Sequence, residues 1–592
     1  MGHRAYSPRL SASHIGAYIS TIPGIIYYQL VSSITMGVVM LGLKHLGSFL
    51  LLSTGHPAIT SGSFGFMFTT WQGYALIALG ILALSLYTVF DINLKIIFAD
   101  KVLSNKPTST WELLQESART LPLFANPQGI LLVLFVSLIA PLTGLGLSVS
   151  VTRTLKVPDF VTSVIFDKPL YLAIYCAVII SATVVCIRYV FTFHVIVLRQ
   201  VHPKEALGMA RRLMQHHWKR CICHLLFFSL VLTLVILVPV IIATLAALVL
   251  PELAWGPIRI FVAVLLGICV GALIYLASLV VTPLLILELT RLFLSYERDA
   301  PVTLMRQSQQ RRGVRLAQLA ACALVLVGIS ALLTTYVDEI FPATSSVGII
   351  AHRAGGTLAQ ENSPEGILLA SRHGAFGAET DVQRTADGAY IIQHDTTFKR
   401  LYGVNKRPQD MTLAEIQELS GADGARVPTL EELLEQSRSC HIKLFIELKG
   451  KTADARMVDD VVRMVKEHDM VHDVALISLN YEVVDYAERT YPEFETGYLY
   501  FLSYGQVGAL NVDDLIIEEQ LATEPMIDTI KLSNKRCYVW TVNSDEALDT
   551  QLNGYADGII TDEVALAQNM KRDMQDRTIQ ERILGKVLYW IR

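Results

Sequence analysis

Charged side chains are scarce in this chain: Asp, Glu, Lys and Arg make up 17% of its 592 residues, against 52% apolar. The shortage is local. Long apolar runs fill much of residues 25–336, a pattern that excludes an ordinary soluble fold for the first half. Basic residues are short in the second half, where 346–562 carries 36 acidic against 19 basic side chains. An acidic domain excludes nucleic acid as a partner, because phosphate backbones need a basic face. Cysteine is sparse too, and six of the eight lie in or beside apolar runs. Cys221-x-Cys223 lacks zinc-ligand spacing and reads as buried free thiols; Cys440 and Cys537 precede different expected strands, which makes a disulfide between them the less favoured alternative to free thiols. The first apolar run is not a short cleavable leader; it is long enough to span and stay.

A helix needs roughly 20 apolar residues to cross hydrocarbon. Seven stretches meet this: 25–43, 73–94, 129–150, 170–198, 224–250, 260–287 and 316–336. The first is interrupted by Lys44 and His45, and the fourth and sixth are long enough to be tilted or broken. Lys and Arg concentrate in 199–220 and 291–315, which assigns both loops to the cytoplasm. Loop 53–72 has neither residue, and loop 151–169, with Arg153, Lys156 and Lys168, fits the alternation poorly. An odd number of spans from a cytoplasmic N-terminus puts residue 340 onward outside; an even number puts it inside. Arg188, within the fourth stretch, is a costly intramembrane charge that reads either as structural or as a substrate or headgroup contact.

From residue 347 the pattern changes to short apolar strands alternating with amphipathic helices. Strands are expected at 347–351, 377–382, 444–448, 474–478, 497–500, 507–510, 538–542 and 558–561. Ser544 before Asp545-Glu546 reads as a helix N-cap. Eight repeats in about 220 residues suit a (β/α)8 TIM barrel, whose active site gathers at the C-terminal strand ends. The expected organisation is a multi-span α-helical membrane domain over 1–340, an α/β barrel over 346–570, and a basic amphipathic tail over 571–592. That tail suits either a membrane surface or a helix packed on the barrel.

The chemistry-bearing residues fall at the expected strand ends. His352-Arg353 follows the first strand, Glu379 and Asp381 lie on the second, Glu447 and Lys449 on the third, and Trp540 and Asn543 near the seventh. Residues i and i+2 of a strand share a face, so Glu379 and Asp381 can grip one ion with Glu447 as a third ligand. Three hard carboxylates suit Ca²⁺ or Mg²⁺ better than zinc. With His394-Asp395 and Glu361-Asn362, these are parts for metal-assisted cleavage of a phosphodiester.

At these residues the sequence resembles the glycerophosphodiester phosphodiesterase family. His352-Arg353, Glu361-Asn362-Ser363, Glu379-x-Asp381, Asp387-Gly388, His394-Asp395, Glu447-x-Lys449, Trp540-Thr541-Val542-Asn543 and 557–562 carry the match. Ala354 replaces the family's usual glycine and Gln360 its usual proline. The apolar half resembles the membrane region fused to some bacterial members. The resemblance implies hydrolysis of a glycerophosphodiester, or of a glycerol-phosphate polymer, to sn-glycerol 3-phosphate and an alcohol. It implies metal on Glu379, Asp381 and Glu447, acid/base work by His352 and His394, and phosphate binding by Arg353 and Lys449. Trp540 would be substrate wall or barrel filler, with Glu361 and Asn362 supporting the site. The implied location is a multi-pass protein of the cell membrane with its barrel outside. A membrane transporter or lipid-binding protein with an accessory barrel is the competing expectation; oligomeric state is left open.

Overall fold

The computed structural model describes residues 12–106, 109–139, 162, 165–166, 168–305, 312–421 and 424–591. They form two units, one built from Met1–Gly47 and Ala75–Thr335, the other from Ser48–Tyr74 and Tyr336–Trp590.

The first unit is helical: α1 (Ala12–Leu52), α2 (Trp71–Leu103), α3 (Thr110–Thr120), α4 (Pro127–Leu134), α5 (Pro169–Arg188), α6 (Thr192–Arg199), α7 (Pro203–Val249), α8 (Pro257–Glu297) and α9 (Arg312–Thr335). Six helices among the described residues are long and apolar enough to cross a membrane, and the pair Thr110–Phe124 and Pro127–Leu138, bent by 111°, would make seven. The third expected span starts in that pair, and its residues 140–150 lie outside the described residues. So do most of loop 151–169 and residues 306–311 of the basic loop. Helices outrun the apolar stretches because intrahelical hydrogen bonding continues beyond hydrocarbon: α1 runs through Lys44 and His45. The fourth stretch is broken between α5 and α6, and Arg188 ends α5 exposed rather than inside the bundle. Buried charge lies elsewhere, in the Asp91–Lys95 pair of α2 and at Glu288. Glu288 on α8 accepts from Tyr18, His224 and Arg291, so three helices share one carboxylate. Such polar contacts hold helices together where lipid removes any hydrophobic drive.

The second unit is a closed barrel. Its strands are β1 (Gly348–Ala351), β2 (Gly377–Arg384), β3 (Tyr390–Ile392), β4 (Lys443–Leu448), β5 (Val474–Ser478), β6 (Glu495–Tyr500), β7 (Asp514–Glu518), β8 (Arg536–Trp540) and β9 (Gly558–Thr561). Eight run parallel in the order β1-β9-β8-β7-β6-β5-β4-β2, and β1 pairs β2 to close the ring. β3 adds antiparallel to β2. Ile350, Phe445, Ala475, Ile477, Leu499, Ile516, Tyr538 and Ile560 fill the interior. A second, larger apolar layer lies between strands and helices. The helix after β8 starts where expected, and Ser544 accepts from the amide of Ala547.

One expected strand is wrong. Residues 507–509 form a 3₁₀ turn, and the strand is Asp514–Glu518 instead. Gly508 makes 507–510 a poor strand, whereas Leu515, Ile516 and Ile517 are buried on both faces and therefore show no alternation. The tail packs on the barrel. Its helix Ile579–Ile591 buries Ile583 and Val587, and Lys586 donates to the carbonyl of Asn553.

Candidate active site

Interior residues predict the mouth. Two positions beyond an interior side chain, the next one on the same face tops the barrel. Ile350 leads to His352, Phe445 to Glu447, Tyr538 to Trp540 and Ile560 to Asp562. On β2 the same face presents Glu379 and Asp381, and the register sets Asp381 directly beside Glu447.

Ligand oxygens of Glu379, Asp381 and Glu447 all lie within 4.8 Å of one another, and all three residues are buried. Lys449 Nζ donates to Asp381 at 2.8 Å and to Glu447 at 3.3 Å. Asn362, held at φ 59°, donates to the other oxygen of Asp381 at 2.9 Å and accepts from Thr380. Glu379 Oε2 accepts from the backbone amide of Arg353, while Glu379 Oε1 and Glu447 Oε1 are buried without a hydrogen-bond partner. Buried unpaired carboxylate oxygens are costly, and a divalent cation satisfies them. The residues present fit such an ion. Burial, then repulsion from Asp381, pushes the Glu379 carboxyl up to about 8. Burial opposes ionisation of Asp381 as well, but Lys449, His394 and Asn362 outweigh it and hold that carboxyl far below the usual range.

Each histidine is braced by an acid. His352 Nδ1 lies 2.7 Å from Asp562, which also accepts from Asn543 at 2.6 Å. Burial alone would lower the His352 imidazole, and the hydrogen bond and charge of Asp562 more than reverse this, leaving it above its ordinary value. His394 Nδ1 lies 2.9 Å from Asp395, itself bound by Arg400 at 2.7 Å. His352 stabilises ionised Glu379, whereas His394 stabilises ionised Asp381 and Glu447, so the two rings approach different members of the acidic trio.

Arg353 donates to Glu361 at 2.9 Å, and its Nε is buried without a partner. Glu361 also accepts from Arg400, joining the two arginines. Trp540 donates from its indole to the carbonyl of Ile516 and packs against the interior, half-buried. All ten residues singled out from sequence therefore meet at one end of the barrel. Sequence reasoning named Asp395, Asn543 and, within 557–562, Asp562 without assigning each its partner, and it did not reach Arg400. Asp395 beside His394 was a usable signal; Arg400 carried none.

Comparison with known proteins adds to this geometry. Residues 21–332 match the family model described as membrane domain of glycerophosphoryl diester phosphodiesterase, and 352–566 match the glycerophosphoryl diester phosphodiesterase family. A glycerophosphodiester phosphodiesterase of Caldanaerobacter subterraneus is 27% identical over 241 residues, covering 38% of this chain and 97% of the relative. Bovine glycerophosphodiester phosphodiesterase 1 is 34% identical over 121 residues, covering 18% of this chain and 37% of that one. The crystal structure of a glycerophosphodiester phosphodiesterase from Parabacteroides distasonis is 26% identical, with a TM-score of 0.35, and covers 39% of this chain and 98% of that one.

Proposed function

Because this chain belongs to the glycerophosphoryl diester phosphodiesterase family in its membrane-domain form, and is thus a phosphoric diester hydrolase, we propose a reaction and a division of labour for its residues. The substrate is a glycerophosphodiester, free or as a glycerol-phosphate polymer, and the products are sn-glycerol 3-phosphate and an alcohol. The observation that carries this reading is the buried trio Glu379, Asp381 and Glu447 set between two acid-braced histidines. The trio would hold Ca²⁺ or Mg²⁺, which supplies positive charge to the phosphate and a seat for glycerol hydroxyls.

The chain's own residues do the rest. Arg353, with Nε free to donate, binds a phosphate oxygen, and its charge counters that of the transition state. Lys449 favours the ionised forms of Asp381 and Glu447 and holds both in place. Asp395 accepts a hydrogen bond from Nδ1–H of His394, which leaves Nε2 to take a proton from the attacking water. His352, held above its ordinary pKa, carries a proton near neutrality and donates it to the departing alkoxide. Trp540 forms a half-buried wall of the mouth, and Glu361 and Asn362 brace Arg353 and Asp381.

The test uses the full chain purified in detergent with Ca²⁺ or Mg²⁺. Release of sn-glycerol 3-phosphate from glycerophosphocholine is followed, with other headgroups as further substrates. His352→Ala and His394→Ala are each expected to lose about 10²- to 10⁴-fold in kcat. No release from any headgroup with either metal would refute the reaction, and near-normal turnover in either variant would refute that histidine's role.

A further inference from the structure

The segment between α1 and α2 is sequence that belongs, by its neighbours, to the membrane half. Structurally it belongs to the catalytic unit. Ala58–Thr60 forms a strand that pairs antiparallel with Ser503–Gly505, with Ile59 opposite Tyr504. The ladder extends past both ends, since Ser61 N donates to Leu502 O at 3.1 Å and Gln506 N to Pro57 O at 2.9 Å. Thr60 Oγ1 lies 2.5 Å from the hydroxyl of buried Tyr498, and Ser61 Oγ accepts from the amide of Phe501. Gly62 sits so close that a Cβ there would lie 2.1 Å from Leu479 O and 2.7 Å from the Tyr498 hydroxyl. Only glycine allows that approach.

The place of these contacts matters. Leu479 and Phe501 lie two residues beyond Ile477 and Leu499, which face the barrel interior on β5 and β6. They hold the same rim positions that His352, Glu447, Trp540 and Asp562 hold on other strands. The segment thus closes onto the catalytic end of the barrel.

We propose that residues 57–63 are a clasp, a built-in part of the catalytic mouth supplied from between the first two spans. This fixes the sidedness of the enzyme. Two pieces of chain that share a ladder lie on one face of the membrane, so an even number of crossings separates residue 70 from residue 336. Five long apolar helices lie between them, α2, α5 with α6, α7, α8 and α9. A sixth crossing is needed, and it falls between Leu103 and Pro169, where the bent pair lies. Charge agrees: loop 53–72 has no Lys or Arg, and the barrel follows the basic loop 291–315 by one span. Both belong outside. The clasp concerns the same site as the proposed hydrolase reading, but its test does not use activity.

The experiment joins clasp to barrel in native membranes. Thr60 and Ser503 are a directly opposed pair that does not exchange ladder hydrogen bonds, the closer kind of pair in an antiparallel ladder. Thr60→Cys with Ser503→Cys is built into the full chain carrying a protease site in the 301–311 loop. After oxidation and cleavage, the double variant is expected to migrate as one band and to separate on reduction, unlike either single variant. Adding Gly62→Ala should lower the linked fraction several-fold. A membrane-impermeant thiol reagent should label Thr54→Cys and the exposed Leu502→Cys from the same face, scored by the rise in labelling over the parent chain. Linkage no greater than in the single variants, or labelling from opposite faces, would overturn the proposal.

Discussion

Replacing Asp562 with asparagine separates the charge that braces His352 from the shape that positions it. Asparagine fills the same space and can still accept from His352 Nδ1 at about the observed 2.7 Å. What it removes is the carboxylate. A hydrogen bond to a charged partner contributes roughly 1.5–3 kcal/mol, equal to about 1–2 pKa units at 1.4 kcal/mol each. Asp562 keeps 30% of its side chain exposed, so water screens part of this and the lower end applies. His352 acts as the acid, so activity is present while its imidazolium survives and is lost as pH rises through its pKa. Asp562 holds that pKa above the ordinary value, extending activity upward. Asp562→Asn should therefore move the basic limb of kcat/KM down by about one unit and lower the rate about tenfold above it, with much less loss below. The assay is kcat/KM from about pH 5 to about pH 10 at fixed divalent cation. A uniform loss with the limb unmoved would refute the argument from charge, and an upward move would refute the role of His352 as acid.

Three further outcomes follow from buried charge. Chelation of divalent cations should abolish most activity and lower the melting temperature of the barrel. A cation at about 100 times its Kd adds roughly 2.7 kcal/mol, or about 5–10 °C for a domain this size, and an unchanged melting curve would count against the trio as its ligands. Lys449→Met, measured in chelator, leaves Asp381 and Glu447 facing each other without their ammonium, and should cost about 3–5 kcal/mol in urea denaturation; a loss below about 1 kcal/mol would show that the pair is not buried in solution. In the helical unit, Glu288→Ala removes the shared acceptor of Tyr18, His224 and Arg291, and a loss of about 3–5 kcal/mol should appear as a lower detergent melting point; a wild-type melting point would sink that reading.

The catalytic end was legible because its chemistry is local in sequence. Glu379 and Asp381 are two apart on one strand, as are Glu447 and Lys449, and each pair reads directly as one face. The acids behind the histidines were less accessible for a reason of distance. Asp562 meets His352 across 210 residues, and only closure of the ring brings β9 beside β1. Arg400 reaches Glu361 across 39 residues from a short helix with no pattern of its own. The strand at 514–518 hid because burial on both faces erases alternation. The clasp was invisible for two reasons at once: its strands are three residues long, and more than 400 residues separate them. In the membrane half the apolar stretches were plain. The break between α5 and α6 was not, since no proline or glycine marks residues 189–191.

Charge explains why the site holds so many acids behind so few bases. Three carboxylates and one ammonium in contact sum to −3 + 1 = −2 when all are ionised. Burial makes that sum untenable for the chain alone, and the carboxyl of Glu379 pushed up to about 8 is its sign. A divalent cation balances the deficit. Beside it, Arg353 and Arg400 are matched by Glu361 and Asp395, giving +2 − 2 = 0. Asp562 and a protonated His352 cancel in turn, so the mouth with its cation is close to neutral. A phosphodiester adds one negative charge to that balance. The monoester product carries nearly two, and His394 by then holds a proton in place of the one His352 gave up, so the mouth gains no positive charge to match and holds product less well. On this account the second charge of the monoester favours release, while the proton on His352 serves bond cleavage alone.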